Sequence, residues 1–522
     1  MKKFGAFLTA ALLVLTSVTA FAACGKSGGK YENKEDTLYI VSINKGYGVQ
    51  WLRDIAERFK ATHEGIDVNV TAVYDDGVTK NTLESGAAYC NYDLMFTGLG
   101  KNIAAGSFLA DLTDVYNSTL SGRTQTVEDS LDPTLKAAFK NIGPDGKAGY
   151  NVMAWTQGVN GLLINYEAAT KALGAGWEQN YPLRTTNELI AFAAAIKGAG
   201  KNAFGHCANT HYYQFVYDTW WAQYEGIAGL TDYYNGIYSI DDGDGGTLTG
   251  EGPEVALQQG RLESLKVMES IFAPSPAGGL YSHPKSNGIT WETMQTYFML
   301  GEFVMLSNGD WNNLEMSKSF PNTDVRFIKL PIVSALGAKL GLDENTLGSV
   351  IDYVDAGQTG AKPSASDEAI AAVAESRRFS HTYADAHTLA IPSYSKKIDL
   401  AKDFIKLLLS DEGQQIYAKA TGGLTAGYGF DYAASPDYAS ASPFAKSRWQ
   451  IAKDVRYYLF PEAKFSSLNS FSAARRLAPM PVLLSRDTDR KTAQWIYEYE
   501  YGYYKEQWAN LVATANQKAS PV

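Results

Sequence analysis

The stretch from Leu38 to Val70 constrains the fold more than any other part of the chain. Leu38–Ile43 is apolar and β-branched, and is short enough to be a buried strand. Asn44-Lys-Gly-Tyr-Gly48 cannot extend it, because two glycines and an asparagine favour a turn. From Trp51 a helical period takes over. Trp51, Leu52, Ile55, Ala56 and Phe59 fall on one face, with Arg53, Asp54, Glu57, Arg58 and Lys60 on the other. Ile66–Val70 then alternates apolar and polar residues as a strand does. Strand, turn, helix and strand form a βαβ unit, so the fold class is α/β with a parallel sheet. Open sheets of this kind bind ligands beyond the carboxyl ends of their strands. The turn Asn44–Gly48 lies there and is the first candidate functional surface.

The N-terminus fixes the compartment. Met1-Lys2-Lys3 precedes the uncharged apolar run Phe4–Ala23, the pattern of a secretory signal over residues 1–23. Cys24 follows Phe21-Ala22-Ala23, which resembles the lipobox of bacterial lipoproteins. That resemblance implies cleavage before Cys24 and acylation of its thiol. An ordinary signal cut near Ala20–Ala22, or an uncleaved span, are the other two readings. Residues 24–37 are polar and Gly/Lys-rich, as suits a tether to a membrane. The expected location is therefore the extracytoplasmic face of the cell membrane. Cys90 and Cys207 are the remaining cysteines, free to pair outside the cell or to stay as isolated thiols.

A chain of 522 residues is too long for one compact domain, and two are expected. The net charge of −10, with no basic face against it, argues against nucleic acid as a partner. Tyr92–Thr97 is a further buried strand ending in a Thr-Gly turn, with a helix expected from Ile103 and a strand at Leu109–Asp114. Gly143-Pro-Asp-Gly146 marks a turn that leads into two expected strands, Ala148–Trp155 and Val159–Asn165, around the first crossing between two lobes. Thr185-Thr-Asn-Glu188 is a capping box. Ser239–Gly252 is Asp/Gly-rich and predicts an exposed loop, Arg326–Val333 a strand interrupted by Pro331, and Ser334–Ser380 a helical insertion around a Gly/Pro/Ser loop.

Enzymatic signatures are scarce. There is no G-x-S-x-G elbow and no H-E-x-x-H pair. His206, Cys207 and His211 lack a fourth ligand, and Asp241, Asp242 and Asp244 lack the spacing and terminal glutamate of a calcium loop. No metal or cofactor is expected. What recurs is the polar and aromatic strand-ending turn: Asn44–Gly48, Thr97–Lys101 and Asn308–Trp311. Such turns suit a hydroxyl-rich ligand, because amide and charged groups bond hydroxyls while rings cover C–H faces.

Several of these stretches together resemble the extracellular solute-binding proteins of ABC importers, in the sugar-binding branch that includes the maltose-binding proteins. The resemblance rests on INKGYG at residues 43–48, YDLMFTG at 92–98, LADLTD at 109–114, the strand-Tyr-Asn-helix region 162–174, Gly301–Trp311, and Ile391–Gly423 with its A-x-x-F-I-K-x-L and S-x-E-G-Q helices. It implies a two-lobed periplasmic-binding-protein-like fold of class II, with a ligand cleft between hinge-linked lobes. The expected function is non-enzymatic capture of a carbohydrate, an oligosaccharide above all, by lobe closure and its delivery to ABC permease subunits. A non-sugar solute and a secreted carbohydrate-active enzyme are the alternatives. A monomer is expected. The first lobe is expected to hold 38–150 and about 391–460, the second about 151–390 and about 461–522. By the resemblance, Asn44, Lys45 and Trp311 face the ligand; Thr97 stands where the branch has an aromatic, and Asp310 is placed to accept hydroxyls. Tyr47, Trp155, Tyr212 and Tyr217 join the expected site for their aromatic character and placement.

Overall fold

The computed structural model describes residues 34–519 apart from 100–107, 143–147, 242–245, 275–279, 461–462, 466–467, 469–477 and 487. The signal segment, Cys24, the helix start near Ile103 and the tip of the Gly143–Gly146 turn lie outside the described residues. Among the described residues no helix is long and apolar enough to cross a membrane.

The opening βαβ unit forms as its periodicity dictates. Strand Thr37–Ile43 pairs in parallel with Asp67–Val73, from Thr37 opposite Asp67 to Ile43 opposite Val73. The helix Gln50–Thr62 between them buries Trp51, Leu52, Ile55, Ala56 and Phe59, the five residues of the predicted face. Leu94–Thr97 adds to the other edge of the first strand in parallel. Thr388–Ala390 returns antiparallel beside it, and Met153–Ala154 completes a five-stranded sheet. A second sheet of four strands runs Val325–Ile328, Asn160–Asn165, Phe303–Gly309, Asn202–Gly205. Each sheet is covered by helices, so the molecule is a two-lobed α/β protein.

The lobe limits differ from those expected at 150 and 390. Met153–Ala154 and Thr388–Ala390 belong to the first sheet, so the first two crossings run through residues 155–159 and 381–387. The helix Pro443–Ala452, expected in the first lobe, packs on the second-lobe strand Val325–Ile328. Phe444 meets Phe327 at 5.5 Å, and the Ser447 hydroxyl accepts from the Phe327 amide. The final helix, Ala493–Ala519, lies against Gln259–Phe272 in the second lobe.

Two local expectations are corrected. Ser239–Gly252 is not a plain loop: Ile237–Asp241 and Thr247–Glu251 pair antiparallel, because Ile-Tyr-Ser-Ile and Thr-Leu-Thr alternate around the Asp/Gly tip. Leu109–Asp114 is not a strand. It makes a single bridge at Leu109 to Pro392, and Asp111 accepts from the Thr113 amide to start the short helix Thr113–Tyr116. The caps behave as read: Thr185 accepts from the Glu188 amide, while Glu188 reaches back to the Arg184 amide one residue earlier than a standard box. Insertion 334–380 forms the helices Ala335–Lys339, Glu344–Asp355 and Asp367–Arg378, and the expected strand at 326–333 stops at Ile328.

Candidate functional site

Two of the three turns singled out by sequence, Asn44–Gly48 and Asn308–Trp311, meet between the lobes. In the first, the Asn44 amide donates to Val73 O at 2.6 Å and the Gly48 amide to Lys45 O at 2.7 Å, with Gly48 at a φ of +62° that favours glycine. The second, Gly309-Asp310-Trp311, follows the fully buried strand Phe303–Gly309. The two turns approach closely at Gly46, and the indole folds back over Gly309 of its own turn. A Cβ on Gly46 would stand 3.0 Å from the Trp311 Cβ, and one on Gly309 would stand 2.1 Å from the indole ring.

A buried charge pair ties these turns together. The Tyr47 hydroxyl donates to Asp310 Oδ1 at 2.7 Å. Asp310 Oδ2 accepts from the Val159 amide at 3.0 Å and from Arg448 Nε at 3.1 Å. Asp310 is 0% and Arg448 1% exposed, and Arg448 Nη1 donates onward to the Thr425 hydroxyl at 2.9 Å. Burial, followed by the charge of Asp310, holds the Tyr47 phenol far above its ordinary range, so it stays a donor. Asp310 therefore spends both oxygens on protein donors from the first-lobe turn, the first crossing and the Pro443–Ala452 helix. A second network braces the same turn from behind: Asn308 and Asn312 both donate to Gln295 Oε1 at 2.9 Å, and Gln295 donates to Glu315 at 2.9 Å.

Around Trp311 the rings form a continuous wall. Tyr383 stacks on it at 6.1 Å, Tyr212 stands edge-on at 5.6 Å, and Tyr47 edge-on at 6.2 Å. His381 follows at 5.0 Å from Tyr383, and burial lowers its pKa to about 3, which keeps the imidazole neutral at physiological pH. Tyr212, Tyr383 and His381 remain half-exposed, as does Asn44, and Lys45 is exposed. These residues can reach a solute. Asn44 Nδ2 donates to the Tyr74 hydroxyl, itself 72% exposed.

The remaining expected residues lie deeper. Thr97 is fully buried, its hydroxyl 2.8 Å from that of Thr79 and its carbonyl accepting from Thr388. Trp155 stacks on Trp51 at 5.1 Å, 2% exposed, with its Nε1 lacking a partner among the described residues. Tyr217 packs with Trp220 in the second-lobe core. Sequence reading missed Tyr383, His381 and Arg448. The aromatic run His381-Thr-Tyr-Ala-Asp-Ala-His387 just before a returning strand was a signal for the first two; a single arginine on the Pro443–Ala452 helix gave none.

The residues weighed as metal ligands have other partners. His206 Nε2 faces Asn287 Oδ1 at 3.0 Å, Cys207 donates to Ile289 O, and His211 Nδ1 faces the Tyr213 hydroxyl. Among the described residues no group of three His, Cys, Asp or Glu side chains can hold a metal ion. Cys90 and Cys207 are both buried and free, not paired.

Two α/β lobes of this topology, joined by crossings and meeting at strand-ending turns, define a two-lobed binding protein of the periplasmic type. The bacterial extracellular solute-binding protein family matches residues 45–415, and the chain belongs to that family. It is a binding protein and not an enzyme. The apo form of RafE from Streptococcus pneumoniae is 14% identical over 90% of this chain and 97% of its own, with a TM-score of 0.56. A chitin oligosaccharide binding protein is 13% identical over 91% and 99%, with a TM-score of 0.55. A Streptococcus pneumoniae solute-binding protein in complex with the blood group A-trisaccharide is 16% identical over 90% and 100%, with a TM-score of 0.53. At such identities the likeness is one of fold. A comparison with curated protein sequences finds no match.

Proposed function

We propose that this protein captures an oligosaccharide in the cleft between its lobes and delivers it to the permease of an ABC importer, held at the extracytoplasmic face of the membrane by a lipid on Cys24. The observation that carries the reading is the aromatic wall in which half-buried Tyr383 and Tyr212 pack on the buried Trp311, next to the turn that carries Asn44 and Lys45. Ring faces cover the C–H surface of a sugar, while the amide, the ammonium and the phenols bond its hydroxyls. Support also comes from proteins of the same fold, whose bound solutes include raffinose and the blood group A-trisaccharide. In this reading Tyr47 and Asp310 link the lobes, and Thr97, Trp155 and Tyr217 support the cleft from behind. Hinge closure on the solute then presents the closed form to the permease.

Tryptophan fluorescence titration over oligosaccharides, polyols, amino acids and phosphate esters tests the assignment. Saturable quenching by oligosaccharides, with a smaller radius of gyration by X-ray scattering, is expected. Saturation by a non-sugar alone would overturn it. For the anchor, Cys24→Ala is expected to release the protein into the medium or leave it unprocessed, read by fractionation and mass. Membrane retention unchanged by that substitution would point to an uncleaved span instead.

A further inference from the structure

The helix Gln214–Asn235 carries a carboxylate that neither the core nor the wall around Trp311 employs. Asp218 shares a helix face with Phe215, three residues before it, and lies beside Thr219. Phe215 meets His381 at 4.7 Å and Tyr383 at 5.4 Å. The Thr219 hydroxyl lies 2.8 Å from that of Tyr458, and the Tyr458 ring is 6.1 Å from His381. Both neighbours of Asp218 thus abut one surface, a strip of rings running from Trp311 through Tyr383 and His381 to Tyr458. Asp218, Tyr383, His381 and Tyr458 are all partly exposed, so solvent reaches this strip.

Charge is unbalanced there. Burial first, and the charge of Asp218 after it, raise the phenol pKa values of Tyr234 and Tyr458; for Tyr383 burial and then Tyr212 come before Asp218, so all three rings lie within reach of its field. The guanidinium of Arg261, which also acts on Asp218, is already committed. It forms an ion pair with Glu500, donates to Ala256 O at 2.7 Å, and lies 5.4 Å to 5.8 Å from the ring centres of Tyr504, Tyr233 and Trp221. Among the described residues Asp218 has no hydrogen bond or ion pair. Two carboxylates stand against one guanidinium among aromatic rings, a net negative charge whenever Asp218 is ionised. Burial resists that charge and pushes the Asp218 pKa up to about 7. A cation placed against Asp218 gains the carboxylate and the electron-rich ring faces together.

We propose that Asp218, Tyr383 and Tyr458 form a subsite for an ammonium group on the solute, so that the captured oligosaccharide contains an amino sugar. This rests on the carbohydrate reading above and adds to it the chemical class of the ligand. Neutral hydroxyls alone would leave the negative charge unmatched.

The test is calorimetric titration at neutral pH with glucosamine oligomers, their N-acetylated counterparts and neutral glucose oligomers of the same length. The wild-type protein is expected to bind the free-amine oligomer about tenfold more tightly than either neutral series, the scale of one desolvated cation against a carboxylate and rings. Asp218→Asn is expected to bring that ratio to about one, and Asp218→Glu to preserve it, on the same charge-pairing grounds. Equal affinity for amine and acetylated oligomers in the wild type, or a preference that survives Asp218→Asn, overturns the subsite while leaving carbohydrate capture standing. Should none of the oligomers bind, the subsite is overturned, while carbohydrate capture is decided by the broader oligosaccharide titration above. If Asp218→Asn does not fold, the wild-type ratio and the Asp218→Glu variant still decide.

Discussion

Replacing Arg448 by methionine is expected to destabilise the protein by about 3–5 kcal/mol, the cost of leaving a buried partner charge uncompensated. Among the described residues the change removes the one cation that meets Asp310, which is 0% exposed and there retains the Tyr47 hydroxyl and the Val159 amide as donors. It also strips the Thr425 hydroxyl of its partner. Chemical denaturation followed by circular dichroism reads the effect as a lowered midpoint. The double variant Arg448→Met with Asp310→Asn is expected to recover much of the loss, because the stranded charge is gone and only hydrogen bonds remain to be made good. A midpoint unmoved by Arg448→Met would show that the pair contributes nothing to stability. A double variant no better than the single would place the loss in packing around the long arginine side chain.

Trp311→Ala is expected to act on both stability and binding. The indole is 6% exposed and packs against Gly46, Tyr212, Phe215 and Tyr383, so its removal opens a void between the lobes at a cost of about 3–5 kcal/mol. Binding should weaken by about 1–3 kcal/mol, the range for truncating an aromatic anchor. Differential scanning calorimetry reads the first effect. Titration well below the variant's melting temperature reads the second. Affinity that holds while the melting temperature falls would make Trp311 a core residue alone.

Much of the first lobe was legible because its signals are local. The apolar face of Trp51, Leu52, Ile55, Ala56 and Phe59 depends only on a period within one helix, and all five are buried. The start of the S-x-E-G-Q helix, where Ser410 accepts from the Gly413 amide, depends on four consecutive residues. Where a local pattern was overlooked, the element was missed. Strand alternation on either side of the Asp/Gly run 242–245 is a weaker signal than the run itself, so where the sequence predicts a loop over Ser239–Gly252 the strands Ile237–Asp241 and Thr247–Glu251 pair instead.

Candidate site residues were legible in a different measure. Composition and turn position pointed to both Asn44–Gly48 and Asp310–Trp311, and the two turns do touch. Polarity did not reveal which of their side chains would be consumed internally. Asp310 reads as an exposed acceptor next to a tryptophan, yet it is the most enclosed member of the contact. Tyr383 and Asp218 read as unremarkable residues of a crossing and a helix, and only the packing of those elements brings them to one surface.

The sequence by itself determined the α/β class, the order of the opening βαβ unit and the turns at the strand ends, since each follows from periodicity or backbone preference over a few neighbouring residues. The tertiary structure alone decided that Tyr47 would reach across 263 positions to Asp310, and Arg448 across 138. Contacts at such separations depend on how two lobes and a returning helix pack, and no local propensity encodes that geometry.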